Sequence, residues 1–214
     1  MTRSADRSAS EKTQRDYHNS ISSEYDSHHF DPYAIEYRKQ LFRSVLKDIQ
    51  LTGMTVLDVA FGGATGLPDA SFDLMMTESL HHTHPHLNNC ATEIHRILKP
   101  CGYFFVWEPE SGAILDKSRK PWYRLDPKYF QENEASIDFG RLIARHAARL
   151  RSIHTRYGGN LAHLLVRSSM DFRIPRQLIR YYAQPIMAIE NLINLANSRL
   201  FRLWGTALLQ KIGG

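Results

Sequence analysis

Cysteine is nearly absent: the 214 residues contain two, Cys90 and Cys101. Two thiols cannot build a disulfide framework or a four-thiolate metal site, and they fit a reducing compartment, so a cytoplasmic location is expected. Long uncharged apolar runs are missing too, which argues against a spanning helix. Residues 1–15 lack the apolar centre of a secretory signal and read as a loose solvated tail. Acids are scarce in one region: from Arg141 to Gly214 only Asp171 and Glu190 stand against twelve Lys and Arg. The first 140 residues hold fifteen bases and twenty acids, so the net charge of +5 hides an acidic first part and a basic second part. A basic half suits an anionic partner. Membrane surface or phosphorylated lipid is favoured over nucleic acid, with a solvated Arg-rich helix face as the plain alternative. The remaining composition, 43% hydrophobic and 23% charged, excludes wholesale disorder.

What is present reads as alternating strands and helices. Apolar and aromatic residues at Tyr33, Ile35, Tyr37, Leu41, Phe42 and Val45 have helical spacing, and Asp31-Pro32 supplies a start signal. Residues 54–60 form a short apolar, β-branched run that opens into Gly62, Gly63 and Gly66, a buried strand followed by a glycine-rich turn. Residues 71–77 read as a second strand. Leu87–Leu98 reads as a helix stopped by Lys99-Pro100-Cys101-Gly102, and Tyr103–Trp107 as a third strand ending in Glu108-Pro109-Glu110. Residues 111–133 lack a clear period and read as loop or lid. An Arg-rich helix is expected over Ile137–Ile153, strand or helix over Leu161–Val166, and punctuation at Gln184-Pro185. Polar Glu190, Asn194, Ser198 and Arg202 recur every four residues, so an amphipathic helix is expected over Pro185–Lys211.

Strand, glycine turn, strand, helix, Lys-Pro-x-Gly and strand in succession make an α/β layout. At Val56–Gly63, Asp69–Leu74, Leu80-His81-His82 and Glu93–Gly102 the chain resembles the class I S-adenosylmethionine-dependent methyltransferases, of the type 11-like kind. The resemblance covers Tyr17 to about Pro109. It implies a truncated Rossmann-like sheet with flanking helices and a basic, mainly helical C-terminal region. The implied divisions are a tail (1–15), an internally shortened core (16–110), and a lid with basic helices (111–214). Its implied activity is methyl transfer from S-adenosylmethionine to a small-molecule or lipid-linked acceptor.

The resemblance also assigns residues. Asp58 falls near the cofactor's amino-acid portion; Ala60, Gly62 and Gly63 form the loop around the adenosine side, where small side chains let backbone N–H groups come close. Glu78 and Ser79 fall at the cofactor's methyl end. His81 or His82 could there act as general base toward a substrate hydroxyl. Tyr17 and Tyr25 lie in an N-terminal helix that closes over the cofactor in similar enzymes, and Glu108 at the carboxyl edge could face substrate.

The chain departs from the family pattern in four places. Ala60 replaces the usual first glycine, Ala64 sits where another glycine is expected, and Cys101 stands where the turn has glycine. The fourth departure is larger: two strands with their helices are missing between the glycine turn and Asp69, so no residue takes the ribose-binding role. This incomplete cofactor site raises an alternative, a catalytically impaired remnant or isoform that binds anionic membrane or a lipid-linked substrate through its basic half. The short connection is also expected to leave the first strand at a sheet edge, with Val56, Leu57 and Val59 uncovered on one side, favouring homo-oligomers. His81, His82, His84 and His86 crowd together, but Pro85 breaks any common helical face and no metal is assigned.

Overall fold

The computed structural model describes residues 19, 21–59, 65–83, 86–114, 116–125, 135–196, 198 and 202–213. Tyr17, Ala60, Gly62, Gly63 and His84 lie outside the described residues. The chain divides into two compact units, one of Leu41–Asn160 with Ala188–Gly214, the other of residues up to Gln40 with Leu161–Met187.

The larger unit is built on one sheet whose described strands run in the order β1-β2-β3-β5-β4. Strand β1 (Val56–Asp58) pairs in parallel with β2 (Phe72–Thr77), and β2 pairs in parallel with β3 (Leu98–Pro109). The register sets Asp58 beside Met76, and Met76 beside Phe105, so the three carboxyl ends share one edge of the sheet. Between β1 and β3, β2 reads as the continuous apolar run of a strand covered on both faces, and Leu74 and Met75 are fully buried. Helix α2 (Leu87–Ile97) follows β2 and buries Cys90, Ala91, Ile94 and Ile97, a helical stripe that faces the sheet. Phe104 on β3 joins Cys90, Ile94 and Ile97 in one apolar cluster. Burying a side chain of this size contributes roughly 2 kcal/mol. Helix α1 (Pro32–Leu46) brings Phe42 edge-on to Phe105 at 5.2 Å.

The turn Lys99–Gly102 forms a bulge between β2 and β3, because Phe72 pairs with Leu98 and Leu74 with Tyr103. Gly102 is required there: a Cβ would lie 2.9 Å from the Lys99 carbonyl oxygen. Cys101 adopts φ +60°, a left-handed conformation ordinarily given to glycine.

The basic second half differs from expectation. The helix expected over Ile137–Ile153 is short: α4 spans Phe139–His146, and β4 (Leu150–Gly158) follows it as a strand. The helix expected over Pro185–Lys211 also fails. Helix α5 runs Arg176–Asn194 with Pro185 inside it, and β5 (Trp204–Lys211) is a strand buried along Gly205–Leu209. Strand β5 is antiparallel to both β3 and β4. Thus β4 and β5 complete the sheet begun by β1–β3, and the second half is only partly helical. Part of residues 111–133, expected as loop or lid, is α3 (Asp116–Leu125). The uncertain stretch near Leu161 is a π-helical turn, His163–Arg167.

Strand β1 does lie at the edge of the described sheet, but only Val56 of its apolar residues is well exposed, at 46%. Leu57 and Val59 are half-buried and pack against the main core.

The smaller unit has its own core, in which Ala162, Val166, Ile179, Ala183 and Met187 pack with Tyr33, Tyr37, Tyr182 and Ile186. Asp31 accepts from the Tyr33 amide and pairs with Arg176, consistent with a start signal at Asp31-Pro32.

Candidate active site

Three parallel strands that end together create an edge of unpaired backbone and loop residues, where open α/β sheets bind ligands. Asp58, the last residue of β1, is exposed there. Beyond β2, the Thr77 hydroxyl accepts from the Ser79 amide at 3.1 Å, and the chain turns into a 3₁₀ segment, Leu80–Thr83. The Thr83 hydroxyl donates back to the Leu80 carbonyl at 2.7 Å. Short hydroxyl side chains that bond local backbone favour such turns over a regular helix. Glu78 and Ser79 are half-buried at its start.

Glu108, near the end of β3, has no exposed surface. One carboxylate oxygen, Oε1, accepts from the Leu80 amide at 2.6 Å. The other, Oε2, lies 3.3 Å from the His81 amide and 2.6 Å from His81 Nδ1. The two strand ends are therefore fastened by one buried carboxylate. His82 lies against His81 with ring centroids 4.0 Å apart, and Trp204, at the start of β5, approaches His81 edge-on at 6.0 Å.

The chain that leaves the glycine segment is tied to α2. Thr65 donates from its amide and hydroxyl to Glu93 Oε1 at 2.8 and 2.6 Å. Arg96 donates to the same carboxylate, to the Leu67 carbonyl at 2.8 Å and to Asp69. The Arg96 hydrogen bond holds the Glu93 carboxyl at about 2; burial opposes that shift and Thr65 adds to it.

The structure thus brings Asp58, Glu78, Ser79, His81, His82 and Glu108 to one edge. Tyr25 belongs to the smaller unit, where its ring stacks on His29 at 3.5 Å. Sequence reasoning did not find the Glu93 tether or the place of Trp204 beside His81. The usable signal for Glu108 was its position just beyond an apolar strand.

Asp58 and Glu78 place two carboxylates at neighbouring strand ends, and the sequence after β1 carries Gly62, Gly63 and Gly66. Two carboxylates at one edge fit a ligand with an ammonium group.

Residues 19–106, 88 of the 214, match the family model described as a methyltransferase domain. No curated protein matches the chain. Among solved structures, the YcgJ protein from Bacillus subtilis is 17% identical over 71% of this chain and 68% of its own, with a TM-score of 0.42. A SAM-dependent methyltransferase from Archaeoglobus fulgidus is 17% identical over 68% of this chain and 62% of its own, with a TM-score of 0.39. The chain spans only 53% of the [4+2]-cyclase SpnF, another similar structure.

Proposed function

We propose, from the match of residues 19–106 to a methyltransferase-domain model and the resemblance to class I S-adenosylmethionine-dependent methyltransferases, that the shared carboxyl edge of β1–β3 binds S-adenosylmethionine and presents it to a small-molecule or lipid-linked acceptor. The observation that carries this reading is the parallel register of β1, β2 and β3, which gathers Asp58, Glu78, Ser79, His81, His82 and Glu108. When bound, S-adenosylmethionine supplies a methyl group on a sulfonium that an acceptor atom displaces in line.

The chain's own residues bind, orient and exclude water. Asp58 offers its carboxylate to the ligand's ammonium, and Glu78 and Ser79 lie at its methyl end. Ala60, Gly62 and Gly63 are assigned to the adenosine side, and Tyr17 and Tyr25 to substrate contact, from the resemblance. His81 or His82 accepts the acceptor's proton. Catalysis of this kind rests on positioning and charge, with no covalent enzyme intermediate.

Calorimetric titration with S-adenosylmethionine tests the reading. Saturable heat, weakened at least tenfold by Asp58→Ala, is expected; no heat at millimolar ligand rejects it.

A second reading, an impaired methyltransferase-like remnant acting at anionic membrane, is favoured by two observations. Strand β1, of only three residues, is an edge of the described sheet. Helix α5 also exposes Leu178, Tyr181 and Leu192, and Leu195 just beyond it is exposed at 81%. Among the described residues no helix is long and apolar enough to cross a membrane, so contact would be at the surface. Liposome co-sedimentation that depends on acidic lipid and on salt, in a chain that binds no S-adenosylmethionine, is the result this reading requires.

A further inference from the structure

We propose that the outer face of α5 is a self-association surface, on which α5 of a second copy of this chain lies antiparallel across a two-fold axis between Ile186 and Met187. This goes beyond the methyltransferase reading and does not depend on it. One side of α5 belongs to the fold: Ile179, Ala183 and Met187 are buried. The other side carries an apolar seam. Leu178, Tyr181, Pro185, Ala188 and Leu192 are exposed at alternating steps of three and four residues. Leu195 extends the seam through a turn closed by its amide on the Leu192 carbonyl. Tyr181 is 68% exposed and Leu192 69%. A narrow seam of this spacing is the kind that packs side chains into a facing helix.

The seam fits its own reverse. Laid antiparallel, Leu178 meets the partner's Leu195, Tyr181 the partner's Leu192 and Pro185 the partner's Ala188. Large side chains then fill both ends, and the short Ala188 lets the backbones approach at the middle. The row beside the seam is Gln177, Gln184 and Asn191, all exposed. A carboxamide is donor and acceptor at once, so this row can bond a copy of itself, Gln177 with the partner's Asn191 and Gln184 with the partner's Gln184. An isologous contact requires such self-complementarity.

Charge selects both the direction and the occupant. The acid on α5, Glu190, is buried. Arg176 and Arg180 stand in its first two turns, and its last turn has no basic residue. Antiparallel docking puts Arg180 beside the C-terminus of the partner's helix, the negative end of its macrodipole. Parallel docking would set Arg180 against its own copy. Arg180 also orders Tyr181: its Nη2 donates to the hydroxyl at 2.6 Å, and its guanidinium carbon lies 4.7 Å from the ring centroid. Less side-chain freedom is then lost on docking. An anionic membrane, the occupant that the remnant reading gives this helix, would leave the amide row without partners at the apolar boundary.

Nineteen residues make α5 about 28 Å long and about 10 Å across, a footprint of about 300 Å² on each copy. That is below the roughly 800 Å² per partner of a standard interface, so the dimer is transient, half-formed at about 10–100 μM.

Sedimentation equilibrium of the full chain, up to about 300 μM, reads this directly. Expected is a monomer–dimer equilibrium that weakens at least tenfold in Leu192→Glu, a position exposed enough that the fold does not need it. A wild type that stays monomeric throughout, or a dimer that Leu192→Glu leaves intact, overturns the proposal. Direction is tested by Gln177→Lys combined with Asn191→Glu, which brings opposite charges together at both ends of an antiparallel pair. The double variant is expected to dimerise more tightly than either single variant; if it does not, the antiparallel arrangement is wrong. Vesicles of phosphatidylcholine and phosphatidylglycerol supply the remaining arm. A wild type that sediments alone as a monomer, yet is carried down by these vesicles and released by Leu192→Glu, makes membrane the occupant and overturns the proposal. None of these measurements contains S-adenosylmethionine, so they stand or fall separately from the calorimetric test of the methyltransferase reading.

Discussion

Arg96 closes on Glu93, three positions earlier on α2, with Nε at 2.9 Å and Nη2 at 2.6 Å from the carboxylate. The same carboxylate receives Thr65, so α2 anchors the chain that emerges from the glycine-rich segment. Replacing Glu93 with Gln removes the ion pair and leaves Arg96 short of a partner. A loss of about 1–3 kcal/mol is expected, the range for hydrogen bonds to charged groups. Denaturant unfolding measures it, and amide exchange should accelerate first at Thr65 and Leu67. An unchanged exchange pattern would mean that the tether does not hold this loop.

The same contact makes a pH prediction. The folded Glu93 carboxyl titrates at about 2, against an ordinary 4.5. A depressed carboxyl stabilises the fold above its ordinary value and loses that contribution as pH falls toward the folded value. The wild type should lose stability between about pH 4.5 and 2 more steeply than Glu93→Gln. Parallel curves of unfolding midpoint against pH would contradict this.

Histidine sets the acid response of the smaller unit. Burial, with Arg167 and Arg38 adding to it, pushes His29 from an ordinary 6.5 down to about 2. Burial also lowers His28, whose Nδ1 lies 2.9 Å from the Ser169 hydroxyl. Here the unfolded chain binds protons that the folded unit refuses, so stability is full above pH 6.5 and falls below it. The slope for one such histidine is about 1.4 kcal/mol per pH unit. Residues 21–40 and 161–187 should therefore exchange amide hydrogens faster at pH 5.5 than at 7.5, after correction for intrinsic rates. His29→Phe keeps the stacking on Tyr25 and should flatten much of that response.

Cys101 holds a left-handed backbone, φ +60°, in the turn within β3. Forcing a side chain into this region costs roughly 1–2 kcal/mol, so Cys101→Gly should raise the melting temperature and Cys101→Val should lower it. Because Cys101 is exposed, no packing is lost in the exchange. A Cys101→Gly protein that melts lower than the wild type would show that the strain is relieved elsewhere.

Asp73 accepts from Lys99 Nζ at 2.7 Å and from the Thr55 amide at 2.9 Å, and the Lys99 contact is the larger reason its carboxyl lies below the usual range. Asp73→Asn should lower the melting temperature at pH 7 and the deficit should shrink in 1 M salt, which screens the Lys99 part alone. A salt-independent deficit would assign the whole effect to the Thr55 amide.

The first half of the chain was legible because its signals are local. Val56–Asp58, Phe72–Thr77, Leu87–Ile97 and the strand through Tyr103–Trp107 all fall where apolar runs and turn residues put them. The second half misled for a physical reason. A central strand is covered on both faces and loses the alternation of an exposed strand, so Thr206–Leu209 reads equally as a helix face. Edge strand β4 carries exposed Arg151 and Arg156, and such charge on an edge blunts pairing with other chains but looks helical in sequence. Asp58, His81 and Glu108 were each singled out in the sequence, and the structure places them at one edge of the sheet. Their connection was not legible, because the Glu108–His81 contact joins residues 27 apart through the register of β2 and β3.

The margin of the sheet at β1 is three residues long and meets β2 alone, whereas β2, β3 and β5 each have neighbours on both sides. Growth at that margin would disturb none of the existing ladders. A segment spliced between Gly66 and Pro68 could pair outside Val56 and leave β2 where it is. The described sheet thus has room to widen on the side of Asp58.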